Sequence, residues 1–168
     1  MSNGTPPPVY TVSHIAVTID GITDSAGGMN NLLFNSAKPP DWSIDAPKHL
    51  FHGDQGNVES IISAVQNPRY GTMTLTQGWD EGYCLAKWKA TIADPSKAIT
   101  DKKKHVKVDF LKPDGSILFS WDAQQALLTG YSHSASDAAS NSVLTVTATI
   151  DADDWQQLDG NGSPIAGP

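Results

Sequence analysis

The most informative segment of the chain is Tyr70-Gly71-Thr72-Met73-Thr74-Leu75-Thr76-Gln77-Gly78-Trp79. Met73 and Leu75 share one side of the chain, and the three threonines share the other. This strict alternation predicts a β-strand with one buried face, which ends at Gly78. A strand of this kind needs an apolar layer against its buried face, so the neighbouring segments decide the class of fold.

The residues directly after this strand predict a helix over 80–92. Leu85, Trp88 and Ile92 recur at steps of three and four, which is the spacing of a buried helical stripe. Cys84 lies inside the same segment and is the only cysteine. It is interpreted as a small buried apolar residue, and an intramolecular disulfide is impossible.

Further alternating segments predict strands on both sides of this unit, at 10–20, 105–111, 116–121 and 142–151. Residues 23–40 show no clear period and are interpreted as a loop with at most a short strand at 32–34. The turn sequence Lys112-Pro113-Asp114-Gly115 joins two of the predicted strands into a hairpin. Residues 124–131 fit a strand or one helical turn, and 58–64 fit a strand or a short helix, with β-branched content favouring the strand. Six or seven strands and one helix predict a mainly β fold: an antiparallel β-sandwich or half-barrel with one flanking α-helix.

The 168 residues suit one domain with tails. We place the β domain at 10–158, a flexible arm that carries Pro6-Pro7-Pro8 at 1–9, and a flexible tail at 159–168. The sequence contains no apolar run long enough for a membrane span and no secretory signal pattern. We therefore expect a protein without a membrane anchor that is made in the cytoplasm.

The chain is acidic, with a formal net charge of −7. This argues against a nucleic-acid clamp, which needs Lys and Arg to displace counterions. A conduit that nucleic acid passes through without sticking is compatible with acidity, although solubility is the simpler explanation. Only 17% of residues are charged, below the usual quarter, so the surface must be rich in uncharged polar groups, which suits packing between copies.

The sequence contains no recognisable motif for catalysis or metal binding. The chain has no Gly-x-Ser-x-Gly motif and no Gly-rich phosphate loop. His49 and His52 are three apart near Asp54, but on a strand they point to opposite faces, so they are interpreted as loop or surface histidines. We predict no enzymatic activity, no cofactor and no metal.

Five tryptophans are many for this length. Trp88 and Trp121 fit predicted core stripes, which leaves Trp42, Trp79 and Trp155. Exposed tryptophans can stack on sugar rings, as in a carbohydrate-binding module, but contacts between subunits are at least as good a use for them.

The order of these elements resembles the tail tube family of contractile phages, which extracellular contractile injection systems share. The resemblance lies in residues 70–79 running into an acidic, tryptophan-bearing helix, then the hairpin around Pro113-Asp114-Gly115, then the closing strand at 144–150. It covers roughly residues 68–155. Residues 40–66 lack the Glu/Tyr/Arg strand and Gly-Gly of the family, so the long hairpin that reaches between neighbours in the family has no sequence match here.

The resemblance implies a structural subunit whose six copies form a ring, with rings stacked into a hollow tube inside a contractile sheath. It implies as partners further copies of the chain, the sheath protein, a tube terminator, baseplate components, and DNA or effector cargo that passes without specific binding. The protein would then lie in a virion tail or an injection particle. The alternatives are a secretion-system tube or terminal adaptor protein and, less favoured, a sugar-binding β-sandwich.

We expect the segment 43–66 to make contacts between rings, with Ile61, Ile62 and Val65 as anchors, and Trp79 and Trp42 to lie at subunit interfaces. The threonine faces of 72–76 and 143–149 are candidates for a polar wall. Since each copy carries −7, the lumen would be acidic if those charges pointed inward.

Overall fold

The structure is a computed structural model that describes residues 11–22, 32–43, 48–52, 58–62, 69–78, 84–134 and 144–165. Those residues form twelve strands and two helices. The strands are β1 (His14–Ile19), β2 (Leu32–Phe34), β3 (Ser36–Lys38), β4 (Trp42–Ser43), β5 (Lys48–His52), β6 (Val58–Ile62), β7 (Arg69–Tyr70), β8 (Met73–Gly78), β9 (Lys104–Leu111), β10 (Ile117–His133), β11 (Thr145–Asp151) and β12 (Gln156–Asp159). The helices are α1 (Cys84–Ala93) and α2 (Ile99–Lys102).

The main sheet follows the order β2-β1-β9-β10-β11-β8-β3, and every neighbouring pair is antiparallel. The long strand β10 belongs to both halves of this sheet. Its first part pairs with β9 and β12, and from Leu127 onward it pairs with β11. The segment 32–38 also serves both halves, because β2 pairs with β1 and β3 pairs with β8. These two shared segments fold the sheet into a half-barrel.

Alternating side chains from both halves meet in one core. The buried strand residues are Ile15, Val17, Ile19, Met73, Leu75, Val106, Val108, Phe110, Val146, Ala148 and Ile150. Helix α1 packs against this core through Cys84, Leu85 and Trp88. The indole N–H of Trp88 donates to the backbone oxygen of Lys102 at 2.8 Å, which connects α1 to α2. The predicted fold class is confirmed, and so are the helical stripe, the buried Cys84 and the burial of Trp88 and Trp121.

The predicted hairpin between β9 and β10 is confirmed at Lys112–Ser116. Gly115 has a φ of 83°, a conformation that side chains disfavour, and its N–H donates to the Lys112 oxygen at 2.9 Å. The Asp114 carboxylate accepts from the Ser116 hydroxyl at 2.6 Å and from its backbone N–H at 2.9 Å. These two hydrogen bonds, led by that of the hydroxyl, hold the pKa of Asp114 below its ordinary value.

The structure resolves both ambiguous segments as strands. Residues 124–131 belong to β10, and 58–62 form β6, which pairs with β5 as a separate two-stranded sheet. The predicted number of strands was too low because several strands have only two to four residues and show no period. The predicted tail includes residues 159–165, where the Asp159 N–H donates to the Ser163 oxygen at 2.8 Å and Leu158 bridges Pro164. The division into arm, domain and tail stays a prediction.

Candidate functional surface

Hydroxyl groups line the non-core face of the four-stranded half β10-β11-β8-β3. The antiparallel register sets two rows across these strands: Ser132, Thr147, Thr76 and Ser36, then Gly130, Thr149, Thr74 and Lys38. Residues opposite each other share a face, and the alternate row that contains Leu75 and Ala148 is buried in the core. We call the set Ser36, Thr74, Thr76, Ser132, Thr145, Thr147 and Thr149 the hydroxyl face. The threonine-rich segments of the sequence therefore lie side by side, as the pattern indicated.

Close packing fixes the hydroxyl face. The hydroxyl oxygens of Thr76 and Thr147 lie 3.3 Å apart, within hydrogen-bonding distance across β8 and β11. Where the register of β10 shifts, the Thr129 hydroxyl donates to the Thr149 backbone oxygen at 3.3 Å. A side chain at Gly130 would place its Cβ 2.9 Å from Thr149 Oγ1, so the crossing requires glycine. β-branched threonine is well suited to such a half-buried strand surface.

The hydroxyl face is almost uncharged. Lys38 is the one charged residue in its two rows, and its ammonium lies 3.0 Å from the exposed Asp41 carboxylate. The two rows contain no carboxylate, and the exposed Asp151 follows Thr149 at the next same-side position of β11, opposite Leu127. Among the described residues no group of His, Cys, Asp and Glu is arranged to hold a metal ion. Apart from Lys38, the residues of the two rows offer hydrogen-bond donors and acceptors and carry no titratable group.

Charge is instead concentrated on the outer face of the β1-β9-β10 half, between the buried positions of β9. His105 lies between two carboxylates, 2.7 Å from Asp122 and 3.6 Å from Asp20. On the same face Lys107 lies 3.0 Å from Asp109, which also accepts a short hydrogen bond from the buried Ser120 hydroxyl. The two faces therefore differ in kind, one with paired charges and one with neutral hydroxyls.

Two strand borders flank the hydroxyl face. β3 pairs with β8 along one side, and no described strand pairs along its other side. β9 pairs with β10 only as far as Ala126, so within the described ranges no strand continues beside residues 127–130. α1 lies near that stretch, with Lys89 and Ile92 lining a groove of about 240 Å³ beside Leu128 and Gly130. The four-stranded half thus has a border at each end.

The structure separates the residues predicted at interfaces. Ile61 and Ile62 lie in β6, paired with His49 and Lys48 of β5. Trp42 lies in β4 with 59% of its surface exposed. Val65 and Trp79 lie outside the described residues. Their predicted roles as contacts between subunits stay predictions.

Trp42 and Trp155, two of the tryptophans without a predicted core position, line one cavity of about 760 Å³. Trp155 is only 2% exposed and meets Trp121 edge-on with ring centroids 6.5 Å apart. Sugar stacking needs open ring faces, and of these two tryptophans only Trp42 is exposed. The sugar-binding alternative stays a prediction. No sequence pattern indicates that Tyr70 lines this cavity, because its position depends on the pairing of β7 with β4.

The described helices include none with the length and apolarity that crossing a membrane requires. No family model matches the sequence, and no curated protein matches it either. Solved structures do match it along nearly its whole length. A chain in the sheath–tube complex of PVC, an extracellular contractile injection system, aligns with a TM-score of 0.61 and 22% identity over 94% of both chains.

Two further structures widen this likeness. A chain in the baseplate of the anti-feeding prophage (AFP) aligns with a TM-score of 0.68 and 16% identity, over 95% of this chain and 99% of that chain. Hcp1 from Salmonella typhimurium aligns with a TM-score of 0.54 and 15% identity over 92% of both chains. At these identities the likeness is one of fold, and at that level it confirms the resemblance indicated by the sequence.

Proposed function

We propose that this chain is the structural subunit of the inner tube of a contractile tail or injection system, that its copies form hexameric rings, and that the rings stack around a lumen. The observation that carries the proposal is the hydroxyl face with a strand border at each end. The shared fold with chains of the PVC and AFP particles supports the same role.

Pairing between copies gives both borders a partner. An open strand edge presents unpaired N–H and C=O groups and invites another strand. If β3 of one copy pairs beside residues 127–130 of the next, the contact joins two different surfaces. Repeated contacts of that type close into a ring when the rotation between copies allows it. The four-stranded halves would then form one continuous wall.

We infer that the hydroxyl face lines the lumen. Binding of DNA depends on cations that neutralise phosphates, and the two rows of this face contain only Lys38, which is paired with Asp41. Neutral hydroxyls stay hydrated and hold neither acidic nor basic cargo. DNA or effector cargo would therefore pass without specific binding, and the role requires no catalysis.

The face opposite the hydroxyl face suggests which proteins bind the outside of the tube. The charged face of β1, β9 and β10 would point away from the lumen, where a sheath protein packs. A tube terminator and baseplate components would bind the ends of the tube. The subunit would be made in the bacterial cytoplasm and kept in the assembled particle. The likeness to Hcp1, and to the structure of a type six secretion system protein, favours a secretion-system tube subunit as the second candidate. Co-purification with a sheath protein in extended particles separates the two candidates from each other.

Negative-stain electron microscopy of the purified protein at high concentration tests the proposal. We expect rings or hollow rods. A strictly monomeric species, both by itself and after other tail components are added, contradicts it.

The β5–β6 hairpin is the proposed contact between rings. A two-stranded sheet is at best marginally stable by itself, and these strands pair only with each other among the described strands. Docking on a neighbouring ring would stabilise it. Ile62→Asp should leave a folded subunit that forms no long tubes, whereas Ile62→Val should still polymerise. Long tubes of Ile62→Asp would refute this assignment.

A further inference from the structure

The strands at the two borders of the four-stranded half run in opposite directions. β10, β11, β8 and β3 follow one another in antiparallel pairs, so β3 runs opposite to β10. A rotation about the axis of a ring turns one copy into the next and keeps the direction of every strand relative to that axis. β3 of one copy therefore meets β10 of the next copy as an antiparallel partner, which continues the alternation of the sheet.

The β3 border provides few backbone hydrogen bonds for this contact. β3 has only three residues, Ser36–Lys38, and Pro39 and Pro40 follow it. Proline has no N–H to donate, so the ladder ends with the strand. The residues of β3 include no large apolar side chain, and the register of such a polar strand is weakly specified. Contacts between side chains are therefore needed to fix the register between copies.

Lys38 is the charged side chain of the β3 border. Its ammonium lies 3.0 Å from the carboxylate of Asp41, and the two side chains are 68% and 79% exposed. An ion pair with this exposure contributes little to stability, because water solvates both charges almost as well. The lysine can therefore turn toward a second carboxylate at little cost.

Asp151 is the opposite charge near the other border. It follows Thr149 on the hydroxyl-face side of β11 and lies opposite Leu127 of β10. Asp151 is exposed, and with Lys103 it lines a groove of about 150 Å³. Neither of these two charged side chains has an ion-pair partner among the described residues. Each border thus carries one cation and one anion.

The spacing of the strands allows Lys38 of one copy to reach Asp151 of the next. If the rows of the hydroxyl face continue level across the contact, Lys38 lies beside Gly130, which has no side chain in its path. Asp151 is then two strands across and two residues along, about 12 Å away between Cα atoms. Extended side chains of about 6 Å and 3 Å leave about 3 Å, the length of an ion pair. Within one copy the separation is equal, but Thr74 lies on the strand between them and Lys38 pairs with Asp41.

We propose that Lys38 of each copy forms an ion pair with Asp151 of the neighbouring copy, and that this pair sets the register of the strand contact. The inference rests on the proposed ring, because the two borders meet only between copies. The direction of β3 carries Asp41 of the first copy toward Lys103 of the second, so the remaining charges at the contact are also opposite. Every contact around a closed ring then contains the same ion pair.

Mixing two charge-reversal variants of the full chain tests this pairing. Lys38→Asp and Asp151→Lys should each lower the fraction that sediments as tubes at low salt by roughly threefold or more, because like charges then meet at each contact. In an equimolar mixture, a hexameric ring of alternating copies has opposite charges at every contact. The mixture should therefore sediment like the unmodified chain. Within each variant the charges at positions 38 and 151 are alike, so a pair inside one copy does not explain such a recovery.

The matched control mixes Asp151→Lys with Lys97→Asp, which makes the same change of charge at an exposed lysine outside both borders. This mixture should sediment no better than the average of its two components. If it recovers as fully as the first mixture, overall charge and not the ion pair explains the result, and the pairing is refuted.

Neutral variants give a second measure if circular dichroism shows that a reversed chain does not fold. The double variant Lys38→Gln/Asp151→Asn should then sediment no worse than either single neutral variant, since one loss already breaks the pair. Additive losses overturn the pairing.

The outcomes separate this inference from the proposed function. If the unmodified chain forms tubes and the mixture of Lys38→Asp with Asp151→Lys stays at the average of its components, the ion pair is refuted and the tube remains. Single variants that sediment like the unmodified chain refute it equally. If the unmodified chain forms neither rings nor tubes, the proposed function fails, and the inference with it.

Discussion

Thr76 and Thr147 face each other across β8 and β11 with their hydroxyl oxygens 3.3 Å apart, in a row that continues to Ser36 on one side and Ser132 on the other. Four strands thus present the same uncharged chemistry at one level of the sheet. A cross-strand pair of this kind stabilises a sheet by less than about 1 kcal/mol. The row therefore contributes little to the stability of the subunit, and its main effect is to make this part of the surface polar and uncharged.

A charge at the centre of this row should interfere with assembly while leaving the fold intact. Thr147→Asp places one carboxylate per copy on the hydroxyl face, and in a ring those carboxylates repel one another. Salt screens exposed charges over about 10 Å at 0.1 M and about 3 Å at 1 M. We expect Thr147→Asp to pellet poorly as tubes at low salt and to recover at high salt, measured by sedimentation.

Thr147→Asn is the matched control, since it is close in size and neutral, and it should assemble at both salt concentrations. Equal pelleting of the Asp and Asn variants at low salt would show that residue 147 does not line a closed lumen. Circular dichroism of both variants should match that of the unmodified chain.

The close approach of Thr149 requires a glycine at position 130. A Cβ there would lie 2.9 Å from Thr149 Oγ1 and 3.0 Å from Thr149 Cβ. We expect Gly130→Ala to lower the free energy of unfolding by about 1–3 kcal/mol, measured by urea denaturation. Adding Thr149→Ala removes the closer atom and should restore part of the loss. The control is Gly71→Ala, whose Cβ would have its nearest neighbour at an ordinary 3.5 Å. A smaller loss in Gly130→Ala than in Gly71→Ala would contradict this reading.

Sequence periodicity predicted the parts of the fold that rest on buried alternation. Val146, Ala148 and Ile150 are buried as the pattern requires, and so are Met73 and Leu75. Strands that are too short to show an alternating pattern could not be predicted from the sequence. β3 has three residues, and β4 and β7 have two each, so they exist only through pairing with distant segments.

Only part of the hydroxyl face could be predicted from the sequence. The threonines of β8 and β11 repeat at every second position and indicated a polar face. Ser36 and Ser132 join that face only through the register of long-range pairs, and a shift of one residue would turn them inward. The register shift at Leu128/Gly130 sets the outcome for Ser132, and no local pattern predicts it.

Trp88 anchors α1 by burial and by one hydrogen bond. It is 1% exposed, and its indole N–H donates to the Lys102 oxygen at 2.8 Å. Trp88→Phe leaves a cavity and an unpaired carbonyl, so we expect a loss of about 2–3 kcal/mol in the free energy of unfolding. Trp42→Phe changes an exposed ring and should stay within about 0.5 kcal/mol. If chemical denaturation gave equal losses in free energy of unfolding for the two variants, the burial and hydrogen bond of Trp88 would contribute no more to stability than the exposed ring of Trp42.

The turn before β10 should depend on pH in a defined direction. The Ser116 hydroxyl and N–H hold the pKa of Asp114 below its ordinary 3.8. Because the folded state lowers this pKa, the turn's contribution to stability is fully present above the unfolded value and is lost as the pH falls through the folded value. Ser116→Ala removes the hydroxyl bond and should raise the pKa of Asp114 toward 3.8 in an NMR titration of side-chain carboxyls. Asp94 is an internal reference, since Ser96 lowers its pKa through the same two bonds and should still do so in this variant. An Asp114 midpoint that does not move in Ser116→Ala would mean that the hydroxyl bond does not set the pKa of this carboxyl.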